Sequence, residues 1–562
     1  MTLSSRLLAL ALLAGAASSL PAFAEPDSSG FTAVVDGKET PAPDLAMGDP
    51  SVVRAIIEEG RDRNQVMQHL RHLTQNIGPR LTGSTRALAA NEWCKAQYES
   101  WGLTNPHLEK WGEIAVRFDR GPSTGRVLQA REEKDDEGNV STSYDPIRDL
   151  EFSTSSWTFG TEGPLRATIV KEPTTPEEFE KVKDSLTGAW ILIGPSQRVG
   201  VRGFRGAISA RYEIRKAAAK KAAEGVDPAS MSVQERVALL PVAGYISTSR
   251  DERVWTGGVN GWRELDLDEL PKAPHTVIRG SDYDFINSRL ADGERISVEF
   301  NLQHTLTPGP IDCYNTIAEI PGTTWPEQVV IIGAHLDSWD GPGSQGTTDN
   351  GTGSSVTLEA ARILMAAGAK PKRTIRFINF TGEEQGLLGS KGYVDLHKDE
   401  MPNISCAFVD DGGTNYEGGL GAPAKMVEML AAATAPVNNV FYSETDKKFL
   451  NVNVHTLKRR MPASGGSDHS SFNALGVPGF FWDEVGRADY GYGWHTQNDK
   501  LDLAIEEYLR QSSTCAAVTA YRLACADTLL PRPGPDEKDE EAENTPARAP
   551  REGRNRPRQQ GE

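Results

Sequence analysis

The sequence predicts an α/β protein built on a mixed, mainly parallel sheet flanked by helices, with a β-rich domain inserted ahead of most of that sheet. Three observations carry this. Apolar, strand-like runs at 328–334, 374–380, 404–410 and 478–483 alternate with helix-like stretches at 353–367, 386–397, 424–434 and 502–528, the pattern of a sheet covered on both faces. Between about 125 and 305 the pattern changes to short strands and turns. Acidic and histidine residues gather just past the apolar runs of the first pattern, where such sheets place ligands.

Taken in order, the chain opens like a secretory signal: Arg6, an apolar stretch over 7–13, and Ala22-Phe23-Ala24 before Glu25. That apolar stretch is too short to span a bilayer, and no later segment approaches the ~20 apolar residues required. The mature protein is therefore expected to be exported, periplasmic or extracellular, with no membrane span. Residues 25–46 are rich in Pro, Asp and Ser and read as a flexible leader. Apolar residues three and four apart predict a helix over 52–72, and a second is expected over 87–101. Residues 47–124 are thus expected to form the first part of the main domain, 125–308 the insert and 309–530 the rest. Within the insert, strands are expected at 166–170, 189–193 and, as an edge, 297–302, with a helix over 214–224. Residues 531–562 are acidic and then basic, and read as a disordered charged tail.

A net charge of -18 argues against nucleic acid as a partner, because phosphate binding needs a basic surface. Cys94, Cys313, Cys406, Cys515 and Cys525 are dispersed and odd in number, so they read as free buried thiols rather than a disulfide framework.

The chemistry lies between His335 and His495. His335-Leu336-Asp337 closes one apolar run, Asp349-Asn350-Gly351 follows in a Gly- and Thr-rich turn, Glu383-Glu384 and Asp410-Asp411 each close further runs, and His495 sits in an aromatic, Gly-rich loop. Imidazoles and carboxylates gathered at one sheet edge suit a pair of zinc ions, with one ligand shared between them. Asp349 is the best bridge; on its own it would read as a helix cap, and its company decides the matter. Asp337, two residues after His335, can orient that ring as a supporting carboxylate. Glu383 and Glu384 cannot both point one way, so one would ligate while the other serves as general base. His469 reads more as structural than as pocket-lining. Arg487 is a candidate for holding a substrate carboxylate.

The order and surroundings of these residues resemble the M28 peptidases, co-catalytic zinc aminopeptidases and carboxypeptidases. The similarity extends to residues 77–84, to Asn315-Thr316 and to Ser467-Asp468-His469. Residues 334–340 and 381–386 look closest to the carboxypeptidase Q branch, and 125–305 resembles a protease-associated insert. The resemblance implies two Zn2+, held by His335, Asp349, Glu384, Asp411 and His495, with Glu383 as the base and Asp337 as the residue that orients. For the strand-end ligand, spacing to Gly413-Thr414 favours Asp411 over Asp410. It also implies a cis peptide between Asp349 and Asn350. The activity expected is hydrolysis of short peptides as an aminopeptidase or dipeptidase. A carboxypeptidase is the alternative, and a one-zinc glutaminyl cyclase or a non-catalytic receptor stands further back. Assembly as a homodimer is left open beside the monomer.

Overall fold

The computed structural model describes residues 30–532 apart from 135, 136, 138, 195–200 and 459. The expected signal peptide and nearly all of the charged tail lie outside these residues. Four strands, Gly479–Phe481, Ile404–Val409, Trp325–His335 and Arg373–Phe380, pair side by side and run parallel. Ile296–Ile320 adds antiparallel to the last of them, so the sheet is mixed and mainly parallel. The run Val329-Val330-Ile331-Ile332 explains why it is covered twice. Val330 and Ile332 pack towards the helices Thr352–Ala366 and Glu506–Cys525, while Val329 and Ile331 face Tyr393 and Phe472 on the other side. A run that is apolar at every position is what burial on both faces requires.

The four predicted strands and their intervening helices appear close to the expected positions, the helix 386–397 shortening to Leu388–Leu396 and 502–528 to Glu506–Cys525. The helix over 52–72 breaks into Pro50–Asp62 and Val66–Arg71. All five cysteines are buried and free.

Four expectations differ from the fold. Residues 32–41, read as a flexible leader, form the strands Thr32–Val35 and Lys38–Pro41, which pair with each other, the first also with Asn453–Thr456 in a separate five-stranded sheet. Their partner lies over four hundred residues away, so no local pattern announces the pairing. The insert is α/β rather than β-rich: Leu165–Lys171, Trp190–Leu192, Gly244–Thr248 and His275–Ile278 run parallel, with Pro176–Leu186, Val201–Ala223 and Gly280–Ala291 as helices. The stretch 297–302 is interior rather than an edge, since Ser297–Phe300 pairs with Thr104–Lys134 on one side and Leu165–Lys171 on the other. The boundaries expected at 124/125 and 308/309 fall inside the long strands Thr104–Lys134 and Ile296–Ile320. These two run antiparallel from Thr104 opposite Glu319 to Gln129 opposite Ile296, with four irregularities of register. Among the described residues, no helix is long and apolar enough to cross a membrane.

Candidate active site

The carboxyl ends of the parallel strands bring the sequence-singled residues together. His335 is the last residue of Trp325–His335, and its Nε2 lies 3.0 Å from Asp411 Oδ1 and 3.3 Å from Asp349 Oδ1. His495 Nε2 lies 3.1 Å from Asp349 Oδ2 and 2.9 Å from Glu384 Oε2. Two triads therefore share Asp349: His335, Asp349 and Asp411, and Asp349, Glu384 and His495. In each, the facing ligand atoms lie within 4.8 Å of one another. Of the two candidate aspartates, Asp411 faces His335, while the Asp410 carboxyl faces Glu484. The peptide between Asp349 and Asn350 is cis.

The local sequence holds these groups in place. Asp349 stands in the turn Thr347–Gly351, ahead of the helix Thr352–Ala366. Gly346 at the head of that turn has φ 60°, and a Cβ there would meet Ser338 Oγ at 2.3 Å, so only glycine fits. Arg80, fully buried, spans the same region: its guanidinium donates to the carbonyls of Leu336 at 2.6 Å and Gly346 at 2.7 Å. Asp499 accepts the Thr348 N–H at 2.6 Å and its hydroxyl at 2.8 Å. Glu384 accepts the Trp339 N–H at 3.1 Å.

Asp337 departs in detail from its expected role. The nearer partner of His335 Nδ1 is the Asp337 main-chain carbonyl at 2.9 Å, with the carboxylate at 3.5 Å. That carboxylate instead accepts Thr82 Oγ1 at 2.8 Å and the N–H groups of Glu383 and Glu384 at 3.3 and 3.4 Å. It thus ties the glutamate pair to the strand end that carries His335. Arg80, Thr82 and Asp499 were not singled out in the sequence beyond the turn 77–84. Their contacts join segments hundreds of residues apart, and no local pattern marks such a role.

The electrostatics call for positive charge at the centre. Burial raises the Glu384 carboxyl to about 7, helped by Asp349, and raises Asp499 likewise to about 7. Burial also lifts Glu383 well above the ordinary range. Burial lowers the His495 imidazole, but Glu384 and Asp349 outweigh it and bring it up to about 10. Asp349 Oδ2 is buried and faces His495 Nε2 without an aligned hydrogen bond. A buried carboxylate with one oxygen facing each of two imidazoles suits a cation better than a proton.

The insert closes one side of the pocket. Thr256 N–H donates to the His495 carbonyl at 2.8 Å, Gln497 N–H to the Val254 carbonyl at 3.0 Å, and Arg253 to the Gly491 carbonyl at 3.0 Å. The pocket is lined by Thr256, Trp339, Ser344, Asp349, Glu384 and His495 with its neighbours; no lysine or arginine lines it among the described residues. Arg487 is turned to other work, paired with Glu507 at 2.7 Å and Asp446 at 3.4 Å. His469 opens the short helix His469–Asn473 and stands outside both triads.

Residues 315–519 match Peptidase family M28. The similarity lies in this segment of the chain. The similarity points to a zinc hydrolase, and every strand-end residue described above except the Arg80 segment falls within the matched region. Carboxypeptidase Q of Xenopus laevis is 31% identical over 273 residues, 48% of this chain and 54% of that protein. Carboxypeptidase Q of Bos taurus is 25% identical over 482 residues, 84% and 88% of the two chains. Aminopeptidase YwaD of Bacillus subtilis (strain 168) is 30% identical over 197 residues, 34% of this chain and 40% of its own length. Among solved structures, the peptidase M28 precursor from Shewanella amazonensis SB2B superposes with a TM-score of 0.56 at 25% identity, covering 86% of this chain and 98% of that one. The relatives bracket a metallo-exopeptidase.

Proposed function

We propose that the protein is an exported di-zinc exopeptidase that hydrolyses short peptides as an aminopeptidase or dipeptidase. The observation that carries the reading is the pair of triads sharing Asp349, with Glu383 beside them. His335, Asp349 and Asp411 would hold one zinc; Asp349, Glu384 and His495 the other. Bound there, zinc would act as a Lewis acid and bring the pKa of water from 15.7 towards ~7.

The chain's own groups would do the rest. Glu383, half-buried and raised in proton affinity by burial, takes a proton from the attacking water. The water oxygen bonds to the peptide carbonyl carbon, the carbon–nitrogen bond breaks, and Glu383 returns the proton to the leaving amine. Asp337 is a positioning residue, because it holds the Glu383 N–H and reaches no reacting atom. The complete five-residue set argues against a one-zinc cyclase and against a receptor that had lost its chemistry.

A lining without lysine or arginine among the described residues favours recognition of an α-ammonium over an α-carboxylate, as does the engagement of Arg487 elsewhere. The insert's segment against the His495 loop narrows the entrance and favours short substrates. The test is amino-acid release from one short peptide, offered free and N-acetylated, by zinc-supplied protein. Cleavage of the free form alone, from its first residue, supports the reading. Release from the far end of the acetylated form would make the protein a carboxypeptidase, and no release from either would overturn peptide hydrolysis.

A further inference from the structure

A second cavity, of about 370 Å³, lies in the insert between the helix Val201–Ala223, the strands Gly244–Thr248 and His275–Ile278, and the loop 268–273. That volume is in the range of small-molecule sites. Its buried lining includes Thr158, Leu270, Tyr245 and His275, the last two standing opposite each other in the parallel ladder. His275 is 4% exposed; Nε2 meets Ser247 Oγ at 2.6 Å, and Nδ1 has no hydrogen-bond partner. A buried ring nitrogen without a partner in a cavity wall is a polar contact awaiting a ligand.

The rim is charged on opposite sides. Arg215 and Lys216, exposed on the helix, form one wall, and the loop forms another, with Asp268 and Glu269 at its start and the exposed Lys272 at its end. Arg211, one turn before Arg215, is already engaged by a bidentate pair with Glu172. Among the described residues Arg215, Lys216 and Asp268 form no ion pair; Glu269 accepts only the nearby Asp266 N–H, at 3.1 Å. Leu270 and Pro271 add an apolar stretch between the two walls.

We propose that this cavity binds a short peptide as a zwitterion, its free carboxylate on Arg215 and Lys216 and its ammonium on Asp268 and Glu269, with His275 Nδ1 meeting the backbone between. Burial holds the His275 imidazole down to about 3, so the floor stays uncharged and does not compete with the rim for either end. The site is independent of the peptidase reaction: none of its residues belongs to either metal triad.

The experiment counts bound dipeptide Ala-Phe by calorimetric titration on Glu383→Gln protein, with and without Arg215→Glu/Lys216→Glu, each chain first checked by near-ultraviolet circular dichroism. The expected result is loss of one equivalent of peptide per chain in the charge-reversed protein. N-acetyl-Ala-Phe should bind this site roughly tenfold more weakly, the loss of one charge-assisted contact. In the otherwise native enzyme, the same charge reversal should leave kcat/KM for peptide cleavage unchanged. An unaltered count after charge reversal overturns the proposal, and equal binding of the acetylated peptide overturns the zwitterion. If peptide hydrolysis itself were misassigned, the count would still fall by one, from one to none rather than from two to one.

Discussion

Asp499 grips Thr348 twice, taking its N–H at 2.6 Å and its hydroxyl at 2.8 Å through the same oxygen. The other oxygen lies 3.4 Å from the N–H of Asp349. The residue proposed to bridge two metals is thereby held by a carboxylate 150 positions further along the chain.

Asp499→Ala should keep the fold and lose metal affinity by about 10–100-fold, the usual cost of removing a group that orients a ligand. Competition with a chelator, followed through zinc release, measures it. Unchanged release would show that the turn holds Asp349 without help.

Glu383→Gln should retain zinc and the circular dichroism of the parent while kcat falls by about 10²–10⁴. Wild-type turnover in that variant would remove Glu383 as the base.

Metal analysis should separate the triads. About two zinc ions per chain are expected in the parent, about one in His495→Ala, and about none in Asp349→Ala, since only Asp349 serves both triads. Chelation should abolish activity and lower the melting temperature, because it leaves the buried carboxylates without counter-charge. An Asp349→Ala protein with two zincs would dismiss the bridge.

Glu417 sits behind the site with both carboxyl oxygens buried and the weakly donating Cys515 thiol as a neighbour. Burial, and then Asp410, push its carboxyl well above the ordinary range. The unfolded chain releases this proton near pH ~4.3, whereas the folded chain keeps it, so its contribution to stability falls as pH rises past that value. Glu417→Gln should therefore raise the melting temperature at pH 8 by about 2 °C or more, with a smaller gain at pH 5. A gain equal at both pH values would mean that ionisation is not the cause.

The sheet was legible because its signal is local. Val329 to Ile332 is apolar at every position, and the acidic and histidine residues follow such runs directly. Gathering at one sheet edge follows once the strands are parallel, so the spacing of His335, Asp349, Glu384, Asp411 and His495 anticipated their meeting. What the sequence concealed depends on distant partners. Arg80 reaches carbonyls more than 250 residues away, Thr32–Val35 finds its partner strand beyond residue 450, and the insert's parallel strands are too short to show periodicity.

The ribbon formed by Thr104–Lys134 and Ile296–Ile320 passes from the insert into the catalytic sheet without a break. The insert is therefore not a module on a tether: there is no linker to cut. Deleting it would sever a twin-stranded girder in mid-span and expose two raw backbone edges, one of them beside the strand that leads to Glu383. Shortened versions of this protein should be designed at the far loops of the insert, and a swap of inserts between relatives must carry both long strands with it.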